Sequence, residues 1–142
     1  MMALPKPPQA GSDEWYEYYF TRVDELGDEM NIDPVDKNNA TELWEEVVGK
    51  HRSPLPLAVD CLYICAKLSG RRVSIKNMKR LTKDLWGKTI TILPLDKRRN
   101  KRRWVWDFKD LIMEFYPDPD AWEDFTEAWQ DKVVDEAYFN EE

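Results

Sequence analysis

From Leu57 to Leu68 the chain reads LAVDCLYICAKL, a stretch in which only Asp60 and Lys67 are charged. A helix built from it is apolar nearly all round, and such a helix is stable only when neighbours cover every side. The stretch therefore demands a layered helical bundle with this segment at its centre. Ser53-Pro54 supplies a cap followed by proline at the first helical position, and Pro56 still lies in the first turn, where a missing amide costs little. Gly70 is the expected stop.

Apolar residues at three- and four-residue spacing place the surrounding helices. Ser12 caps a first helix with Trp15, Tyr18, Tyr19, Val23 and Leu26 on one face, ending near Gly27. Asp33 and Pro34 start a second, with Ala40, Leu43, Trp44, Val47 and Val48 inward and Gly49 as its stop. Ser74 caps a fourth, whose apolar Ile75, Met78, Leu81, Leu85 and Trp86 oppose Lys76, Lys79, Arg80 and Lys83. A fifth is expected from about Lys101 to Tyr116. The alternation of Thr89 to Leu93 and Arg103 to Trp106 leaves an alternative open: a winged helix with a basic β-hairpin over residues 89–107. Pro119 opens a further acidic helix with the stripe Trp122, Phe125, Trp129 and Val133, which either docks on its own domain or binds a partner. The expected organisation is a flexible Pro-rich leader over residues 1–12, a helical domain over 13–116 and an acidic aromatic C-terminal helix over 117–142.

The net charge of -7 conceals a segregation. Residues 1–49 carry -9, residues 50–110 carry +12 and residues 111–142 carry -10. Either the basic middle faces phosphates or an acidic protein, or the acidic ends fold against it and neutralise it.

Little in the chain suggests catalysis. His51 is the only histidine and has no local nucleophile partner, and the five glycines form no phosphate-binding loop. Cys61 and Cys65 lie four apart in the apolar helix, where they read as small core groups, and two thiols do not make a metal site. The expectation is a binding protein without enzymatic activity, cofactor or metal. No apolar run approaches the roughly 18 to 20 residues of a membrane span, and the N-terminal MMALPKPPQAGSDE lacks a signal core, so an intracellular location is expected.

The segments YFTRVDELGDEMNIDPVDKNNATELWEEVVGKH and RSPLPLAVDCLYICAKLSGRRVSIKNMKRL resemble, in helix order and capping, the cyclin-box repeat of transcription initiation factor IIB and its archaeal counterpart. The likeness covers roughly residues 15 to 116. The second segment is similar to that family's buried third helix with its Ser-Pro start, continuing through a Val-Ser cap into the fourth. The resemblance implies an all-α, five-helix cyclin-like bundle around the third helix, here with an extra acidic C-terminal helix. The chain departs from complete factors in having no zinc ligands and room for one repeat, and the basic insertion LDKRRNKRR exceeds the usual repeat.

By position, the resemblance implies that Arg71, Arg72, Lys76, Lys79, Arg80 and Lys83 contact nucleic acid, extended by Lys97, Arg98, Arg99, Lys101, Arg102 and Arg103. Implied partners are duplex DNA and basal transcription proteins such as TATA-binding protein or RNA polymerase. Trp122, Phe125 and Trp129 are candidate protein-binding residues. The competing expectation is a protein-only adaptor or inhibitor, a polymerase-binding regulator or cyclin-like kinase partner. In the kinase version Lys67 matches a family lysine, with Asp107 or Asp110 as its loose acidic counterpart.

Overall fold

Helix starts are set by local capping chemistry in the computed structural model, which describes residues 4–49, 53–92 and 103–127. Helix α1 spans Asp13–Glu29, and the Ser12 hydroxyl accepts from the Trp15 amide at 3.2 Å. Helix α2 spans Pro34–Val48, with Asp33 accepting from the Val35 amide and Gly49 at its end. Helix α3 spans Pro54–Leu68, and helix α4 spans Ile75–Trp86 with the Ser74 hydroxyl accepting from the Asn77 amide at 2.9 Å. Short helices α5, Arg103–Asp107, and α6, Lys109–Phe115, follow. A last helical segment, α7, is described over 119–127, where the Asp118 carboxylate accepts from the amides of Asp120 and Ala121. The fold is all-α, and no strand occurs among the described residues.

As the apolar run requires, α3 is central. Leu55, every residue from Leu57 to Ala66, and Leu68 are buried, while α1 and α2 pack along it. Its exit is a Schellman turn: Gly70 takes φ +91°, the Gly70 amide donates to Lys67 O and the Arg71 amide to Ala66 O. Trp44 of α2 closes the α1/α2/α3 junction. Its ring lies 5.4 Å from those of Trp15 and Tyr19, and its indole N–H donates to Pro54 O at 2.9 Å.

Several boundaries differ from expectation. Helix α1 runs through Gly27 and ends instead at Met30 and Asn31, whose φ of +56° lets the Ile32 amide reach Gly27 O. Gly27 is a packing residue: a Cβ there would collide with the Lys37 side chain, and Leu62 of α3 lies 3.8 Å away. The Ser53 side chain makes no cap hydrogen bond, so proline geometry and the Ser53 carbonyl, accepting from Leu57, begin α3. The single fifth helix is interrupted at Phe108, although the Phe108 amide to Trp104 O and the Ile112 amide to Phe108 O keep the two parts in register.

The hairpin alternative fails where it can be read, because residues 103–107 are helical and residues 89–92 form no strand. Its signal has another source. Ile90 and Ile92 are both buried while Thr89 and Thr91 are exposed, so this segment lays one edge on the core. Part of the leader is also tied down: Leu4 packs on the core and the Tyr18 hydroxyl donates to Pro5 O at 2.6 Å.

Candidate nucleic-acid interface

Helix α4 divides cleanly between two environments. Met78, Leu81, Thr82 and Trp86 are buried, and Lys76, Lys79, Arg80 and Lys83 are exposed on the opposite side. At about 1.5 Å rise per residue, the stretch from Lys76 to Lys83 presents a cationic ridge about 10 Å long. Arg72 is exposed just before it and Arg71 is half-buried at the α3 exit. Arg80 is held in place by Asn77, whose Oδ1 accepts at 2.6 Å, and by Asp84 at 3.9 Å. Among the described residues, Arg71, Arg72, Lys76, Lys79 and Lys83 have no ion-pair partner. Lys97, Arg98, Arg99, Lys101 and Arg102 lie outside the described residues; Arg103 opens α5, its side chain likewise outside.

The ridge is anchored from beneath. The Trp86 indole N–H donates to Glu25 Oε2 at 3.0 Å, and the other oxygen of Glu25 accepts from Arg22 at 2.5 Å. Arg22 is buried with its guanidinium 4.6 Å from the centre of the Tyr18 ring, and its Nε finds no acceptor. Glu25 therefore fixes the end of α4 to α1 while pairing with a buried cation, a link the residue spacing did not reveal because Glu25 and Trp86 are 61 positions apart.

Helices α1 and α2 carry the opposite charge. A groove of about 580 Å³ opens between them, lined by Phe20, Thr21, Asp24, Lys37, Thr41, Glu42 and Glu45 among others. Lys37 bridges Asp24 at 2.8 Å and Asp28, hydrogen bonds that raise its pKa. Glu42, Glu45 and Glu46 are exposed and have no ion-pair partner among the described residues. Among the described residues no ion pair joins a cation of α4 to an acid of α1 or α2, so over these helices the charges stay apart.

The aromatic residues of α7 face inward. Trp122 and Phe125 are only 5% and 7% exposed; Trp122 stacks edge-on with Trp106, and Phe125 lies 6.5 Å from Tyr63. A partner could reach these rings only by displacing the helix. Trp129 lies outside the described residues.

A separate polar cluster pins α6 to the core. The Tyr116 hydroxyl donates to Asp36 at 2.6 Å and accepts from Asn39 at 3.2 Å. Burial pushes up both thiols of α3, Cys65 to about 12, which leaves them poor nucleophiles. Lys67 is half-buried at the end of α3 and forms no ion pair with Asp107 or Asp110. Among the described residues no group of three His, Cys, Asp or Glu is placed to hold a metal, and no helix is long and apolar enough to cross a membrane. His51 lies outside them.

Fold and surface together define an all-α bundle that presents one cationic helix. Comparison with protein-family models, with curated proteins and with solved structures finds no match to this chain.

Proposed function

We propose that this chain is a transcription-associated, single cyclin-box protein that binds duplex DNA through the exposed face of α4, alone or together with basal transcription proteins such as TATA-binding protein or RNA polymerase. The supporting observation is the ridge itself: Lys76, Lys79 and Lys83 are exposed on one side of a helix anchored to the core, Arg72 is exposed just before it, and none of the four has an ion-pair partner among the described residues. Four phosphate contacts of this kind would release condensed counterions, so affinity would depend steeply on salt. The cyclin-box likeness adds the central α3 and the capped entry into α4. The protein acts by binding, without catalysis, from an intracellular location.

Fluorescence anisotropy with a labelled duplex tests this directly. Binding is expected at about 50 mM salt and should weaken by an order of magnitude or more at about 200 mM. The triple variant Lys76→Ala/Lys79→Ala/Lys83→Ala should weaken binding on every sequence alike and flatten the salt dependence, as phosphate contacts do. If the wild-type chain fails to bind at about 50 mM salt, the DNA reading falls. The same ridge then serves a protein-only adaptor that docks an acidic partner. Within that class a polymerase-binding regulator stands ahead of a kinase partner, because among the described residues Lys67 makes no ion pair with Asp107 or Asp110, as the kinase version needs.

A further inference from the structure

Among the described residues the charges of α4 and of the α1/α2 seam are not paired with one another, yet they are complementary. On α4 the exposed cations Lys76, Lys79, Arg80 and Lys83 recur at three- and four-residue spacing, and among the described residues only Arg80 has an ion-pair partner. On α2 the exposed acids Glu42, Glu45 and Glu46 repeat the same spacing beside the groove. The groove's own cation, Lys37, is already engaged by Asp24 and Asp28 and cannot neutralise them. Phe20 and Thr41 give the groove surface on which lysine methylene stems can lie while their ammonium groups reach the rim.

We propose that the α4 ridge of one molecule docks in the α1/α2 seam of a second copy, head to tail. The two patches differ, so each docking event leaves one ridge and one seam free, and association can continue beyond two chains. Exposed ion pairs are individually weak and screened by salt, so the assembly is a low-affinity one that dissolves as ionic strength rises. It stands independently of nucleic-acid binding, since both patches belong to the protein. Where duplex does bind the ridge, the two events compete.

Sedimentation velocity of the full chain without nucleic acid is the test. At about 50 mM salt the weight-average sedimentation coefficient should rise with protein concentration, and at about 500 mM it should fall back to that of the monomer. Lys79→Gln/Lys83→Gln removes the charge of the ridge and Glu42→Gln/Glu45→Gln that of the seam, so each variant alone should remain monomeric. Mixed in equal amounts, they should form a two-chain complex and nothing larger, because each supplies only one intact patch. All four positions are exposed, and an unchanged helical circular dichroism signal checks the fold. Should the glutamine pair unfold the chain, Lys79→Ala/Lys83→Ala carries the same expected loss. A wild-type monomer at every concentration, a variant that still associates alone, or a mixture that stays monomeric would each overturn the proposal.

Discussion

Helices α3 and α4 are consecutive, joined through the turn at Gly70, and are built on opposite plans. Helix α3 is covered on every side and its side chains specify packing. Helix α4 buries one stripe and leaves the other to solvent with four cations on it. The difference separates two kinds of constraint within one short segment. Substitutions on α3 should be felt as stability, because a close-packed interior relaxes only partly around a missing group. Those on the outer side of α4 should be felt in binding, because solvated side chains contribute little to folding.

The largest effect on stability is expected at the centre of α3. Leu62 is fully buried and touches the α1 side of the core near Gly27. Leu62→Ala should cost about 2–5 kcal/mol, the transfer free energy of the lost atoms plus the cavity they leave. Urea unfolding followed by tryptophan fluorescence measures it. A loss below about 1 kcal/mol would mean that α3 is not the close-packed centre and would break the contrast with α4.

Next in size is the shell around α3, where Tyr116 fastens α6 to α2. Tyr116→Phe removes the hydroxyl that donates to buried Asp36 and should cost about 1–3 kcal/mol at neutral pH. The pH dependence carries a sign. Burial first, then the nearby Cys65 and the hydrogen bond to Asp36, raise the Tyr116 pKa above its ordinary 10.0. The folded state therefore holds this proton more tightly than the unfolded chain. The resulting stabilisation is intact below about pH 10 and is lost as pH rises above it. Wild type should lose stability more steeply than Tyr116→Phe between about pH 10 and 12 in thermal melts. Tyr63, also raised by burial, leaves the variant some residual slope.

These contrasts were unequally visible in the amino-acid order. The central position of α3 was legible because it follows from the near absence of charge over Leu57 to Leu68, a purely local property. The same holds for the caps at Ser12, Asp33 and Ser74, which act on amides two or three residues away. The role of Gly27 was not legible, since its reason lies in Lys37 and Leu62 on other helices. The alternation at Ile90 and Ile92 truly reported one-sided burial, but a strap on a core and a paired strand share that pattern. The cationic ridge could be read off α4 alone. Its separation from the acids of α1 and α2 could not, nor could the Glu25 link beneath it, because both depend on how these helices pack.

Gly27 offers a smaller and more selective test of how closely the helices around α3 approach. Alanine in place of a helical glycine ordinarily gains about 1 kcal/mol. Here the new methyl group would displace Lys37 from its pairing with Asp24 and Asp28, so Gly27→Ala should gain almost nothing or be mildly destabilising. In a Lys37→Ala background the obstruction is gone, and the same substitution should recover about 0.5–1 kcal/mol. A double-mutant cycle by chemical denaturation gives the coupling. Equal effects in both backgrounds would show that Lys37 is not what requires the glycine.

The smallest expected change in stability falls on α4 and is the sharpest test of its separation from α3. Lys76, Lys79 and Lys83 are exposed, have no ion-pair partner among the described residues, and lie within a helix whose inner stripe is unaffected by their truncation. Alanine is also the better helix former, which offsets the loss of side-chain stems on the surface. Lys76→Ala/Lys79→Ala/Lys83→Ala should therefore shift the unfolding free energy by no more than about 0.5 kcal/mol. Any loss of duplex binding by this variant then belongs to the ridge and not to the fold. A destabilisation of about 2 kcal/mol or more would instead mean that these lysines hold the bundle together, and the division of labour between the two helices would collapse.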